Sequence, residues 1–317
     1  MSNSGESKAA RREHAREQAR QMREKEQKRQ KRTKWIVQGS VVLTVLVIAA
    51  VVAGAIFISN QPSGPGPKNM ASDGILLQGD GSAITAVKTG NVAGGAEPVA
   101  TDLADYPDTV NIDIYVDYQC PFCAQFETAN ADQISQWVTA GIATVEVHPI
   151  AFLDSQSLGK KYSTRAANAA ACVANYDPDK FLDVNTAFFA NQPEEQTEGL
   201  TDTQIKDLVK GAGVDSADVN SCIDDQTFAS WTKAATNRVT DGVIPNSDTP
   251  AFTGTPMVIV NGKYFEATDL TDASEFASFV QSVATTSGTV DGGTSTDGTS
   301  TDGTKTETPA PTETPAD

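Results

Sequence analysis

The longest apolar stretch of the chain, Trp35–Ile58, contains 24 residues without a charge. As a helix rising about 1.5 Å per residue it would extend roughly 36 Å, which exceeds the ~30 Å hydrocarbon core of a bilayer. Residues 1–34 before it carry twelve Lys or Arg against five Glu. Because basic flanks stay in the cytoplasm, the pattern predicts a cytoplasmic leader at 1–34 and a single-pass membrane anchor at 35–58. A cleaved secretory signal ending near Ala53-Gly54-Ala55 is the alternative.

The composition changes again on both sides of the remaining chain. Residues 59–73 are rich in Pro and Gly and predict a short linker. Residues 285–317 are rich in Thr, Ser, Gly, Asp and Pro and repeat Ser-Thr-Asp-Gly-Thr twice. Such a tail cannot bury enough apolar surface to order itself, so we expect it to be disordered. Residues 74–284 are long enough for one domain with a substantial core.

Within that domain, Val110, Ile112, Ile114 and Val116 alternate with polar residues, which predicts a strand. Apolar runs predict other strands at 74–78, 143–148 and 257–260, and Asn261-Gly262 predicts a hairpin leading into residues 263–265. Asp113 and Asp117 do not fit this pattern, because a central strand is usually apolar on both faces.

Helical periodicity dominates the middle and the end of the domain. Pro121 suits the first turn of a helix, and Asp272 followed by Glu275 resembles another helix start, with an apolar face after it. The other predicted helices span residues 166–174, 179–190, 202–209 and 228–239. The order of elements predicts an α/β domain, a mixed sheet with helical cover and a helical insertion at about 153–250.

Beyond residue 34 the chain holds twelve Lys or Arg against 36 Asp or Glu. A surface this acidic repels nucleic acid, so we expect no nucleic-acid partner. No motif calls for a cofactor, and we predict none.

Cys120-Pro121-Phe122-Cys123 follows the alternating strand directly and opens a predicted helix. Two thiols at this spacing exchange between dithiol and disulfide, but they also form half of many zinc sites. A zinc site needs two more ligands, and the other cysteines are isolated while His148 is the only histidine after the anchor. We therefore predict no metal and expect His148 to be a strand residue with its hydrogen bonds satisfied. A cysteine-protease pairing of Cys120 with His148 is disfavoured because a second thiol favours exchange over acyl transfer.

A second, distant motif is Thr253-Gly254-Thr255-Pro256, at the entrance of the strand at 257–260. Together with Cys-Pro-Phe-Cys, the Asn-Gly hairpin and the final helix, it resembles the thioredoxin fold. The long helical stretch is similar to the insertion of the DsbA-like branch, and Asp117–Cys123 followed by Phe126-Glu127 resembles membrane-tethered DsbA-like proteins of Gram-positive bacteria. The fold expected is therefore thioredoxin-like with a DsbA-type helical insertion, preceded by one transmembrane helix.

The resemblance implies a role for each motif residue. Cys120, at the helix N-terminus, is the expected exposed attacking thiol, and Cys123, one turn inside, the shielded resolving thiol. Thr255 and Pro256, with Pro256 expected in cis, form the substrate-binding wall. Pro121 and Phe122 tune the redox potential. Strongly oxidising relatives carry His at the position of Phe122, so we expect a potential between about −270 and −120 mV.

The remaining cysteines, Cys172 and Cys222, both lie in the predicted insertion, Cys172 on a helix and Cys222 between two helices. Similarity to DsbA-like proteins of actinobacteria implies a structural disulfide between them, worth ~4 kcal/mol in the chain-entropy model. The alternative is two buried free thiols.

The function expected is an extracytoplasmic thiol–disulfide oxidoreductase that oxidises exported proteins with free cysteines. A membrane reoxidase of the DsbB or VKOR-like type is the expected partner. Two alternatives are kept: a tethered disulfide reductase or isomerase, and a noncatalytic surface-binding module with structural disulfides.

Overall fold

The computed structural model describes residues 8–59, 63–249 and 251–287, which divide into one unit before residue 63 and a second from Ser63 onward. The described part of the first unit is a single helix, α1 (Lys8–Ser59). Within the ranges described, none of the helices combines the length and apolar character that crossing a membrane requires. Many side chains of the anchor predicted at 35–58 lie outside the described residues, as do residues 288–317 of the predicted tail.

The second unit is built on a six-stranded mixed sheet in the order β2-β1-β4-β3-β5-β6. The central strands β3 and β4 are parallel, and all other neighbours are antiparallel. The strands are β1 (Ile75–Gly79), β2 (Ile84–Ala86), β3 (Val110–Val116), β4 (Ala143–Pro149), β5 (Met257–Val260) and β6 (Lys263–Tyr264). The sequence predicted all of them except β2, which has only three residues.

The helices of this unit are α2 (Pro121–Thr139), α3 (Tyr162–Tyr176), α4 (Phe181–Ala190), α5 (Asp202–Gly211), α6 (Ala217–Asp224), α7 (Ala229–Asp241) and α8 (Ala273–Ser287). The five helices α3–α7 lie between β4 and β5 in the chain and form the predicted insertion. Helix α6 was not predicted, so Cys222 lies on a helix and not between two helices.

The two faces of β3 are both buried. Ile112, Ile114 and Val116 belong to the main apolar core, which also contains Phe126 of α2 and Phe276 of α8. On the other face, Tyr115 packs in a smaller core with residues of β5 and α7. Carboxylates on this strand are therefore buried, which is the conflict that the sequence indicated at Asp113.

The linker predicted at 59–73 is wrong for its described part, residues 63–73. Met70 is fully buried, Lys68 donates its N–H to Asn175, and Asn69 donates its side-chain amide to the Ala174 carbonyl. Asp73 accepts hydrogen bonds from the indole of Trp231 and from Arg238, whose Nε lies 2.6 Å from its carboxylate. Apolar and ionic contacts thus hold residues 63–73 against the domain, although their Pro and Gly content indicated a flexible linker.

Candidate active site

The turn between β3 and α2 is held by Asp117, the first residue after the strand. Its carboxylate accepts hydrogen bonds from the N–H groups of Gln119 and Leu153, both at 2.8 Å, and from the Ser163 hydroxyl at 2.7 Å. Burial raises the pKa of Asp117 to about 6, and these three bonds oppose the shift. Asp117 therefore joins the cysteine turn to the start of the helical insertion, which explains a carboxylate at the end of a central strand.

Cys120 is the N-cap of α2, and Pro121 is its first residue, where the missing N–H costs no hydrogen bond. Both Cys120 and Cys123 are free thiols. Cys123 is fully buried, as expected for a shielded thiol. The expectation that Cys120 is exposed is wrong, because only 3% of the residue is accessible. The loop at Thr255 covers its sulfur, and Gln192, just after α4, donates to its carbonyl at 2.9 Å.

The two distant sequence motifs meet at this sulfur. Cys120 Sγ lies 3.1 Å from the carbonyl oxygen of Thr255, although the two residues are 135 positions apart. The Thr255–Pro256 peptide bond is cis and leads directly into β5. Because β5 pairs with β3, the entrance of β5 lies beside the residues that follow β3. The sheet thus places Thr255 and Pro256 against the cysteine pair.

Hydrogen bonding lowers the pKa of the Cys120 thiol to about 7. The largest contribution comes from the Cys123 thiol, burial opposes it, and the Thr255 side chain and the N–H groups of Cys123 and Phe122 add to it. These N–H groups belong to the open first turn of α2, where an anion is stabilised. Burial, reinforced by the interaction with Cys120, raises the pKa of Cys123 well above its usual range. The pair is therefore asymmetric, with one thiolate-forming sulfur and one protonated sulfur.

A buried polar chain lies next to the cysteine pair. Tyr118 donates its hydroxyl to Asn185 at 3.1 Å, and Asn185 donates its amide to Glu127 at 2.9 Å. Glu127 follows Cys123 at i+4 and so lies on the same face of α2. Burial raises the pKa of Glu127 to about 7, opposed by the bond from Asn185. Sequence reasoning quoted Glu127 only as part of a resemblance; the i+4 spacing was the signal that could have identified its place.

Phe122, between the two cysteines, is 55% exposed. Its ring adds no hydrogen-bond donor to the sulfurs, although its backbone N–H contributes to the lowered pKa of Cys120. Phe152 is also exposed and packs edge-on against Phe252, which precedes the Thr255 loop. Aromatic side chains thus lie on both segments that meet at Cys120, the cysteine turn and the segment leading to Thr255.

Cys172 of α3 and Cys222 of α6 form a disulfide, with Cα atoms 5.9 Å apart. Both residues are buried among the helices of the insertion. They are separate from the redox pair and join two helices that the sequence places 50 positions apart.

His148 belongs to neither a zinc site with the cysteines nor a catalytic pair with Cys120. It lies on β4, stacks on Tyr115 at 4.3 Å between ring centroids, and neighbours Glu146. The expectation that its hydrogen bonds are satisfied is wrong, because its Nδ1 has no partner within the described part of the chain.

Three comparisons relate the chain to known proteins. The family model described as Thioredoxin matches residues 107–281, more than half of the chain. Serine/threonine-protein kinase PknE of Mycobacterium tuberculosis is 31% identical over 160 residues, which cover 44% of this chain and 28% of the kinase. The chain thus spans less than a third of the length of this curated relative.

Solved structures with a similar fold include those of the following three proteins. Reduced DsbA from Mycobacterium tuberculosis is 24% identical with a TM-score of 0.49, covering 68% of this chain and 99% of that one. BdbD from Bacillus subtilis is 21% identical with a TM-score of 0.48, covering 71% and 98%. MdbA from Corynebacterium diphtheriae, described as a thiol-disulfide oxidoreductase, is 17% identical with a TM-score of 0.48, covering 72% and 96%.

Proposed function

Because this chain belongs to the thioredoxin family, we propose that it is a thiol–disulfide oxidoreductase that forms disulfide bonds in exported proteins through Cys120 and Cys123. The observation that carries the proposal is the contact between Cys120 Sγ and the Thr255 carbonyl at 3.1 Å. This contact places the Thr255 backbone against the sulfur, at the helix N-terminus that stabilises a thiolate. A pair of cysteines that only stapled the fold would need neither feature.

The oxidised enzyme, with a Cys120–Cys123 disulfide, accepts two electrons from a client. A client thiolate attacks Cys120 Sγ, the Cys120–Cys123 bond breaks, and Cys123 leaves and takes up a proton. A second client thiolate then attacks the client sulfur of the mixed disulfide, and Cys120 leaves as a thiolate. The lowered pKa of Cys120 favours this last step, because a thiol of lower pKa leaves faster.

We propose that Glu127, on the same face of α2 as Cys123, supplies the proton that Cys123 takes up. It lies one turn further along α2, is buried, and has a pKa of about 7, so it still holds a proton near neutral pH. The protonated state of Cys123 matches its raised pKa. The resulting dithiol is the state of the two cysteines in this structure.

The client binds beside Thr255 and Pro256. In the dithiol state the Cys120 thiol donates to the Thr255 carbonyl. In the Cys120–Cys123 disulfide and in the mixed disulfide this sulfur has no proton to donate, so the carbonyl is available to an extended client segment that pairs with it as an added strand. Because Cys120 is only 3% exposed, the client must displace part of its cover, and the exposed ring of Phe122 offers the first apolar contact.

We further propose that the domain acts outside the cytoplasm, anchored by residues 35–58 with the leader inside. The charge asymmetry of the leader supports this orientation. The Cys172–Cys222 disulfide supports it independently, because structural disulfides persist mainly in oxidising compartments. A membrane protein of the DsbB or VKOR-like type would then reoxidise Cys120 and Cys123.

The test is trapping of clients on Cys120. Replacing Cys123 with Ser removes the resolving thiol, so we expect mixed disulfides between Cys120 and exported proteins, which a reductant releases. A variant in which Cys120 is also Ser is the matched control and should trap nothing. Absence of adducts in the Cys123→Ser variant would refute the proposal.

The direction of electron flow is tested separately, by the redox state of Cys120 and Cys123 in growing cells. An oxidase is found largely as the disulfide. A pair that is largely reduced would instead identify a reductase or isomerase.

A further inference from the structure

A cluster of buried polar side chains lies on the sheet face that Tyr115 occupies. The parallel register sets Asp113 of β3 directly beside Glu146 of β4, and His148 follows Glu146 at i+2 and so lies on the same face. One potential ligand atom from each of the three residues falls within 4.8 Å of the others. All three residues are at least 93% buried.

We propose that Asp113, Glu146 and His148 bind a divalent metal ion of the zinc class. Two carboxylates and one imidazole are ligands that Zn²⁺ accepts, with a fourth position left for water. This site is distinct from the redox pair and does not depend on the proposed function.

Two of the atoms in the cluster have no other partner. Asp113 Oδ2 and His148 Nδ1 are buried without a partner at hydrogen-bonding geometry among the described residues, while Asp113 faces the Glu146 carboxyl group and the His148 ring lies near the Asp73 carbonyl. Buried polar atoms normally have a hydrogen-bond partner, so two atoms without one in the same cluster indicate that a group binds there. A divalent cation supplies it and neutralises two carboxylates that otherwise repel each other in a poorly solvated site.

The surroundings fix the orientation of the ligands. The His148 ring is held between Tyr115, on which it stacks, and Gly74, where a Cβ would lie 2.4 Å from the ring. The Ser72 hydroxyl donates to Glu146, the kind of outer contact that orients a ligating carboxylate. A cavity of about 510 Å³, lined by Ser72, Tyr115, His148 and segments near Pro98 and Arg238, reaches the cluster at His148.

The alternative is a proton in place of the metal. Burial and the charge of Glu146 raise the pKa of Asp113 well above its usual range, so the two carboxyl groups can share a proton. A shared proton joins only the two carboxyl groups, whereas a metal ion also engages one nitrogen of His148. Calorimetry and elemental analysis separate the two possibilities.

The experiment measures Zn²⁺ binding to the purified full-length chain in a Cys120→Ser, Cys123→Ser background, so that no free thiol competes. After treatment with a chelator, we expect one equivalent of Zn²⁺ to bind and to raise the thermal midpoint. Asp113→Asn and Glu146→Gln should abolish this binding. Ser72→Ala, which removes only an outer contact, should weaken it ~10–100-fold. Asp132→Asn, which removes an exposed carboxylate of α2, is the matched control and should bind like the parent.

Absence of stoichiometric binding in the parent would overturn the proposal, as would equal affinity in Asp113→Asn and Asp132→Asn. If a core variant does not fold, X-ray absorption of the Zn²⁺-loaded parent decides. Nitrogen and oxygen neighbours at about 2.0–2.2 Å that include one imidazole support the site, and a shell without imidazole refutes it.

Discussion

Removing the thiol of Cys123 isolates the hydrogen bond that contributes most to the low pKa of Cys120. Cys123→Ala deletes this donor, while the Thr255 side chain and the first-turn N–H groups of α2 remain. Cys123→Ser keeps a hydroxyl donor in nearly the same place. The two variants therefore differ by one hydrogen bond at an otherwise similar buried position.

The expected size follows from the contributions at the sulfur. All of them together lower the pKa from 9.0 to about 7. Loss of the largest favourable one should raise the pKa of Cys120 from about 7 to roughly 8. At pH 7 the thiolate fraction of Cys120 would then fall from about one half to about a tenth. Cys123→Ser should stay near the parent value.

The assay is a pH titration of thiolate absorbance in the ultraviolet, which needs no reagent to reach a residue that is only 3% exposed. The oxidised protein supplies the baseline for tyrosine ionisation. The reasoning fails if the Ala and Ser variants titrate with the same midpoint, because the hydrogen bond from residue 123 would then have no effect. It also fails if the parent midpoint lies near 9.

Three further predictions concern stability, each measured by urea denaturation of the purified protein. The pKa of Glu127 is about 7 in the folded protein, against an ordinary value of 4.5. The protonated carboxyl group therefore favours folding at low pH, and this contribution to the free energy of unfolding is lost as the pH rises from about 4.5 to 7. Glu127→Gln should remove about 3 kcal/mol of that pH dependence. An unchanged pH profile would contradict this. Replacing both Cys172 and Cys222 with Ala should lower the free energy of unfolding by ~4 kcal/mol, and a loss below ~1 kcal/mol would show that the open chain is already compact. Arg238→Met leaves the Asp73 carboxylate buried without its cation and should cost about 3–5 kcal/mol, more than Arg238→Lys; equal losses would refute the ion-pair argument.

The sequence was sufficient for the parts of the site that local geometry determines. Cys120, Pro121 and Cys123 lie on one helix start, and the proline motif at 255–256 directly precedes a short apolar strand. These signals need no knowledge of the rest of the chain. Strand β2 and helix α6 were not predicted, because segments of three and eight residues are too short to show a clear periodicity.

The contacts that cover and connect the site could not be predicted from the sequence. Gln192 reaches the Cys120 carbonyl, and Ser163 reaches Asp117, only because the insertion folds back over the cysteine turn. The low exposure of Cys120 has the same origin. The local sequence indicates which cysteine can form a thiolate, but the packing of distant helices determines how much of that cysteine is exposed to solvent.

The alternation along β3 shows why one periodicity permits two interpretations. Apolar residues at even positions and polar residues at odd ones are typical of a strand with one face in water. Here the odd face is covered by α7 and by the segment around Asp73, so Asp113 is buried although its position in the pattern favours exposure. Once that face is closed, the register of β3 with β4 places Asp113 beside Glu146, and their charges need a proton or a cation. The polar half of the pattern therefore indicates chemistry on the side of the sheet away from the main core.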